Sequence, residues 1–215
     1  MRRTFIALWL SLSASVVNAA GDEAGDFDYY LLALSWSPSW CEKEGDTRDA
    51  AQCDARSDLG WSLHGLWPQY LDGWPSDCPT DKADPSRSMT ASMADIMGSG
   101  GLAWYQWKKH GRCSGLSAGD YFQQARNAYE SVTRPDVLRQ LSDPVQIDPD
   151  VIEAAFLEEN SDLNPTDLVV TCSAGRIAEV RICLDKDLHA RPCTGAALRS
   201  CNQDSARFPP LRSNN

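Results

Sequence analysis

The chain has 215 residues, 42% of them apolar and 23% charged, with a formal net charge of −10 and a pI of about 4.7. So acidic a chain is a poor candidate for holding a polyanion by overall charge, which counts against a nucleic-acid-binding module of that kind. It counts less against an enzyme, which needs only a local basic cleft and gains from fast product release.

The N-terminus reads as an export signal. Arg2 and Arg3 form a positive start, Phe5 to Leu12 an apolar core too short to span a bilayer, and Val17-Asn18-Ala19 a small-residue cleavage pattern. Cleavage is expected after Ala19, so residues 1–19 are the signal and 20–215 the mature domain. Its destination is the periplasm or the medium, with no later membrane segment. A mature chain of roughly 195 residues suits one domain with a sizeable core. In an exported chain the eight cysteines (Cys41, Cys53, Cys78, Cys113, Cys172, Cys183, Cys193 and Cys201) read as disulfides, with every connectivity open on spacing alone.

Residues 20–26 are a polar leader. Tyr29 to Trp36 is aromatic and aliphatic and ends before Pro38, as a central strand would. Cys41 to Ser57 is charged and patternless, a loop closed by a bridge. Trp61 to Leu66 alternates as a strand with Ser62, His64 and Leu66 on one face, Trp61 and Leu63 on the other, and Pro68 as its end. Asp72-Gly73 and Pro75 to Pro79 mark turns. Asp84-Pro85 leads into a short helix carrying Met89, Met93, Ile96 and Met97.

Trp104 to His110 reads as a short helix stopped by Gly111. Helical spacing puts Tyr105, Gln106, Lys109 and His110 on one face, with Trp104 and Trp107 anchoring another side in the core. Further helices are predicted at about Ala118–Val132, Pro135–Leu141 and Pro149–Glu158. The buried stripe of the first is Tyr121, Ala125, Tyr129 and Val132; that of the last is Val151, Ile152, Ala155 and Phe156. Asp148 caps the last, with Pro149 in its first turn. Leu168–Cys172 and Ile177–Leu184 form a hairpin around Ala174-Gly175. The class is α+β: helices packed on a mostly antiparallel central sheet, in a single disulfide-stapled domain.

The chain has three histidines, and two sit in aromatic-rich, glycine-punctuated contexts: Ser62-Leu63-His64-Gly65-Leu66-Trp67-Pro68 and Trp104-Tyr105-Gln106-Trp107-Lys108-Lys109-His110-Gly111-Arg112-Cys113. Two imidazoles brought together by a fold can act as general acid and general base. A lysine beside one of them can stabilise a negatively charged transition state. That is the outline of a phosphodiester-cleaving site that needs no metal. His110-x-x-Cys113 looks like half of a zinc site, but no second such pair follows, so no metal and no cofactor are expected. His189, in the charged stretch Asp185 to Arg191, is expected at the surface.

His64-Gly65-Leu66-Trp67-Pro68 and Lys109-His110-Gly111-Arg112-Cys113 resemble the two catalytic segments of the ribonuclease T2 family. The resemblance extends to the strand ending in Ser35-Trp36-Ser37-Pro38 and to the order of the cysteines, from about Phe27 to Cys201. It implies that single-stranded RNA is the substrate, cut by transesterification through a 2′,3′-cyclic phosphate to a 3′-phosphate; a monomer is expected. It implies His110 as base, His64 as acid and Lys109 as the charge stabiliser, with Gln106 beside them. It also implies the pairing Cys78–Cys113, Cys172–Cys201, Cys183–Cys193 and Cys41–Cys53. Trp67 is expected to stack a nucleobase, and Gln69 and Tyr105 to contact substrate. The commonest family pattern has His-Glu where this chain has Tyr105-Gln106, and often an aspartate at Gln69, which bears on rate, pH profile and base preference. Two rivals stand beside the enzyme: a catalytically weakened secreted RNA binder, and a disulfide-rich stress-protective protein without RNA chemistry.

Overall fold

In the computed structural model, which describes residues 22–212, the sheet is built on Tyr29–Trp36 (β1). Antiparallel neighbours flank it on both sides: Trp61–Gln69 (β2) and Arg176–Leu184 (β5). That is why it carries apolar side chains at nearly every position. Leu168–Ser173 (β4) pairs with β5 as the expected hairpin, Ala174 and Gly175 both taking positive φ in its turn. Two short strands that sequence reading did not foresee, Val145–Ile147 (β3) and Ala206–Phe208 (β6), complete a six-stranded sheet of order β2-β1-β5-β6-β3 with β4 on β5. The pairings are antiparallel apart from one parallel pair, Arg176 with Arg207. The expected signal, residues 1–19, lies outside the described residues.

Helices cover one face of this sheet. Their order is Ser37–Trp40 (α1), Arg87–Ala91 (α2), Ala94–Met97 (α3), Gly100–Lys109 (α4), Ala118–Ser131 (α5) and Pro149–Glu159 (α6). Leu32, Leu34 and Trp36 of β1 enter the core beneath them with Trp61, Leu63 and Leu66 of β2. An aromatic cluster closes one end of that core. Trp36 stacks on Phe208 at 4.5 Å and Trp61 meets Phe156 edge-on at 5.3 Å. The Trp36 indole also donates to the Pro209 carbonyl (2.8 Å), which docks β6. On α5, Tyr121 donates to the Leu66 carbonyl (2.9 Å) and Tyr129 to the Trp61 carbonyl (3.0 Å), so one helix clamps β2 on both sides of His64.

All four disulfides join the expected cysteines: Cys41–Cys53, Cys78–Cys113, Cys172–Cys201 and Cys183–Cys193. Among the described residues no helix is long and apolar enough to cross a membrane.

Several local expectations are corrected. β2 runs through Pro68 to Gln69, because β2 is an edge strand and a proline there breaks no ladder bond on its free side. Leu66 does not share a face with His64. Leu34 pairs with Leu63 and Ala33 with Gly65, so His64 is the extra residue of a β-bulge that resets the alternation and sends Leu66 into the core. The stretch 41–57 is a run of single helical turns rather than a loop. The methionine helix is two short helices, α2 and α3, with Met89 exposed. The helix predicted at Pro135–Leu141 is one 3₁₀ turn, Asp136–Arg139. Val151 is exposed, because α6 packs into the core chiefly through Ile152 and Phe156.

Candidate active site

The bulge at His64 and the end of α4 meet on the face of the sheet opposite the helical core. α4 begins at Ser99, whose hydroxyl accepts from the Leu102 amide (3.1 Å), and ends as His110 leaves helical geometry before Gly111. A Cβ on Gly111 would lie 2.7 Å from the Trp107 ring and 2.8 Å from that of Tyr121, so only glycine lets the chain turn this close to the core. The bridge Cys78–Cys113 ties down the turn that follows, and the Asp77 amide donates to the Lys109 carbonyl (2.8 Å).

Trp67 touches both imidazoles. Its ring meets His64 edge-on at 5.1 Å and lies nearly parallel to His110 at 5.1 Å. Its indole N–H donates to Oε1 of Gln106 (2.6 Å), a side chain only 1% exposed. This bond passes over Gly65, where a Cβ would collide with both partners. The HGLW order is thus a packing requirement as well as a motif. With one face of its ring against His110 and the Arg181 guanidinium 5.5 Å from its centroid, Trp67 is a joint of the site.

The two histidines occupy opposite surroundings. His110 is 8% exposed, and its Nδ1 finds no hydrogen-bond partner among the described residues. Burial, then the charges of Lys109 and His64, push its pKa down to about 3, so it is neutral at ordinary pH. His64 is half-buried and its Nδ1 is 2.5 Å from the carboxylate of Glu179. Glu179 also receives Arg181 (2.7 Å) and the Ser35 hydroxyl (3.3 Å). Burial opposes its ionisation, but the His64 hydrogen bond and the positive charges of His64 and Arg181 outweigh it and lower its pKa to about 2.

Glu179 and Arg181 were not anticipated from sequence. The signal was there: two charges at alternate positions of an otherwise apolar strand, Ile177 to Leu184, which put both on one face. What sequence could not supply is the register. Ser35 pairs with both Glu179 and Ser62, which brings Glu179 across β1 to the His64 bulge.

Of the other anticipated residues, Lys109 is half-buried and its Nζ lies 3.4 Å from the hydroxyl of Tyr105, which is itself exposed. Gln106 and His110 turn inward to Trp67, so the expected common face of α4 divides into an inner and an outer pair. Trp104 is exposed and only Trp107 anchors the core, its indole donating to Asp84 (2.9 Å), which also holds Arg112 (2.6 Å). Gln69 is buried, its amide donating to the Pro68 carbonyl (2.8 Å). His189 stands at the surface on a turn with Asp185 and Asp187. Those three form a group of potential metal ligands within 4.8 Å, but the Asp185 carboxylate already accepts from the backbone of Asp187 and His189. Cys113 is committed to its bridge.

A cleft of about 900 Å³ opens beside His64 over the outer face of β1, β5 and β4. His64 lines this cleft and His110 lies across Trp67 from it; a neutral buried imidazole, a carboxylate-held imidazole and a nearby ammonium group are the means to move protons and steady charge at a phosphodiester.

The description "Ribonuclease T2 family" matches residues 27–193. A ribonuclease of Aeromonas hydrophila is 48% identical over 120 residues, 56% of this chain and 51% of that protein. The chain spans about half the length of the curated relatives it matches first. Among solved structures, an RNase-related protein from Calystegia sepium superposes with a TM-score of 0.68 at 22% identity, covering 85% of this chain and 97% of that one. RNase NT in complex with 5′-AMP gives 0.56 at 22% identity, over 86% and 99%. These two likenesses establish the fold, and the match from Phe27 to Cys193, spanning both histidine segments, places the chain in the ribonuclease T2 family.

Proposed function

We propose that the protein is an endoribonuclease that cleaves single-stranded RNA by transesterification. The observation that carries this reading is the contrast between its two histidines. His110 is held neutral by burial and can accept a proton, while His64 is held through Nδ1 by an ionised carboxylate and can give one. His110 takes the proton of the ribose 2′-hydroxyl as that oxygen bonds to phosphorus. The P–O5′ bond breaks, and His64 supplies the proton for the leaving O5′. The product is a 2′,3′-cyclic phosphate. Water then opens it with the two histidines in exchanged roles, which restores both and leaves a 3′-phosphate. Lys109 stabilises charge on the phosphorane, and Tyr105, in contact with it, offers a hydroxyl to the same oxygens. DNA lacks the 2′-hydroxyl and is not cut.

Nucleotide binding by RNase NT, seen in its 5′-AMP complex, fits the substrate class. Four disulfides fit an oxidising compartment, so the protein acts after export, with residues 20–215 as one catalytic domain and a monomer as the working unit.

The test is incubation of mature protein with RNA in excess EDTA, with the product ends identified. Cyclic or 3′-phosphate ends are expected. Ends carrying 5′-phosphate, or activity lost to EDTA and restored by metal, would overturn the reading. Measurable RNA affinity without turnover would select the weakened binder, for which the neutral Tyr105-Gln106 pair is the motive.

A further inference from the structure

We infer that the arm of the cleft beyond His64 binds backbone phosphates of the RNA strand on the 3′ side of the scissile bond. This rests on the ribonuclease reading and adds a subsite to it.

The cleft crosses the sheet. It starts at Ser62 and His64 on β2, passes Ser35 on β1 and Glu179 and Arg181 on β5, and reaches Thr171 to Ser173 on β4. Three strand spacings make roughly 15 Å, longer than the reacting phosphodiester requires. Arg199 and Ser200, next to the Cys201 bridge to β4, also line it, as do Lys43 and Arg48 from the run of turns after α1.

Charge along this path is opposite to that of the chain. Five cations line it (Lys43, Arg48, Arg176, Arg181 and Arg199) against two carboxylates, Glu44 and Glu179, in a protein of net charge −10. The ion pairing preserves the excess, because each carboxylate is shared by two bases. Lys43 and Arg48 meet on Glu44 (3.1 and 2.7 Å), and His64 and Arg181 on Glu179. Arg176 shares Glu42, which does not line the cleft, with Arg207 (3.0 and 2.8 Å). Arg199 is exposed and has no ion-pair partner among the described residues. Ordinary surface pairing would neutralise such groups one to one; here unmatched positive charge is left along the path.

Two of the four disulfides hold the segments that bear these cations. Cys41–Cys53 closes the run of turns carrying Lys43 and Arg48, and Cys172–Cys201 fastens the segment of Arg199 to β4. The cations are thus presented from stapled backbone, which lowers the entropy lost on binding.

The direction follows from which histidine the cleft contains. His64 lines it and His110 does not. The acid protonates O5′, which belongs to the nucleotide on the 3′ side, so the path leaving from His64 takes the departing strand.

The experiment uses chains with one ribonucleotide among deoxynucleotides, so that only one bond can be cut. Relative to the dinucleotide, adding several deoxynucleotides on the 3′ side should raise kcat/KM by about tenfold or more at low salt, the scale of one charge-assisted contact. The same addition on the 5′ side should do much less. The 3′ gain should shrink as salt rises. In Arg48→Ala/Arg199→Ala it should fall toward one, and in Arg48→Lys/Arg199→Lys it should largely return. No 3′ gain, equal gains in both directions, or a wild-type gain in the alanine variant would overturn the inference. Failure of the wild-type protein to cut any of these chains would instead defeat the ribonuclease reading. The arm would then be judged by fluorescence anisotropy with a labelled oligodeoxynucleotide: affinity lost in the alanine variant sustains it, and absent or equal binding overturns it.

Discussion

His64 and His110 differ through their neighbours, and substitutions of those neighbours separate their roles. Glu179→Gln preserves shape and removes the charge beside His64. We expect kcat/KM to fall about 10²-fold, within the range for a positioned acid or base. Activity close to wild type would reduce Glu179 to a packing role. His64→Ala and His110→Ala should each lower the rate by about 10²–10⁴-fold. The two losses should not add, because both serve one proton-transfer cycle. His189→Ala should match wild type, and equal damage there would remove the assignment. Gln106→Glu can still accept the Trp67 indole while placing a carboxylate near His110. That charge opposes the burial that depresses His110, so its pKa rises and the acid limb of kcat/KM moves to higher pH. An unmoved limb would mean that Trp67 holds the side chain away from His110.

Among the elements, the β2 bulge and the end of α4 make the site. A bulge lifts one residue out of the ladder, so His64 escapes the pairing that buries Leu63 and Leu66 on either side. The end of α4 is held by Gly111 against the core and by Cys78–Cys113 beyond it. Replacing both cysteines with alanine should lower stability by about 2–5 kcal/mol. Activity, normalised to the folded fraction, should fall as well, because His110 caps the helix three residues before Cys113. Full activity per folded molecule, beside the expected drop in Tm, would show that the bridge stabilises the fold without holding the site.

Taken as a whole, the molecule stores several groups whose protonation favours unfolding. Glu42 is lowered from 4.5 to about 2 by the Arg207 hydrogen bond, against an opposing effect of burial and with help from Arg176. Glu179 is likewise lowered to about 2, and His110 falls from 6.5 to about 3. In each case the folded value lies below the unfolded one, so the unfolded chain binds the proton first and stability falls with pH. For His110 the window opens at 6.5 and extends to about 3; for the two glutamates it runs from 4.5 to about 2. We expect Tm to decline gently below pH 6.5 and steeply below 4.5. His110→Asn should flatten the first part while leaving the second. Identical Tm curves for both proteins between pH 6.5 and 4.5 would show that His110 is not buried as described.

The apolar run of Tyr29 to Trp36, the cap of α6, the β4–β5 turn and both histidine segments were legible because each is a local pattern of a few neighbouring residues. The bridges were legible only through family resemblance, since spacing leaves their pairing open. The bulge at His64 was not legible: period-2 reading assumes an unbroken ladder, and one added residue reverses every side chain after it. β3 and β6 escaped notice because three-residue strands have no period of their own and exist through the partners they find. Trp104 and Trp107 look alike along the chain, and only packing decides which one faces Asp84 and the core. Sequence by itself pointed to His64, Lys109 and His110 as the groups proposed to carry the chemistry. Tertiary structure decided their states, because the environments of His64 and His110 come from Glu179, Arg181 and Trp67, joined to them by strand register and helix docking rather than by nearness along the chain.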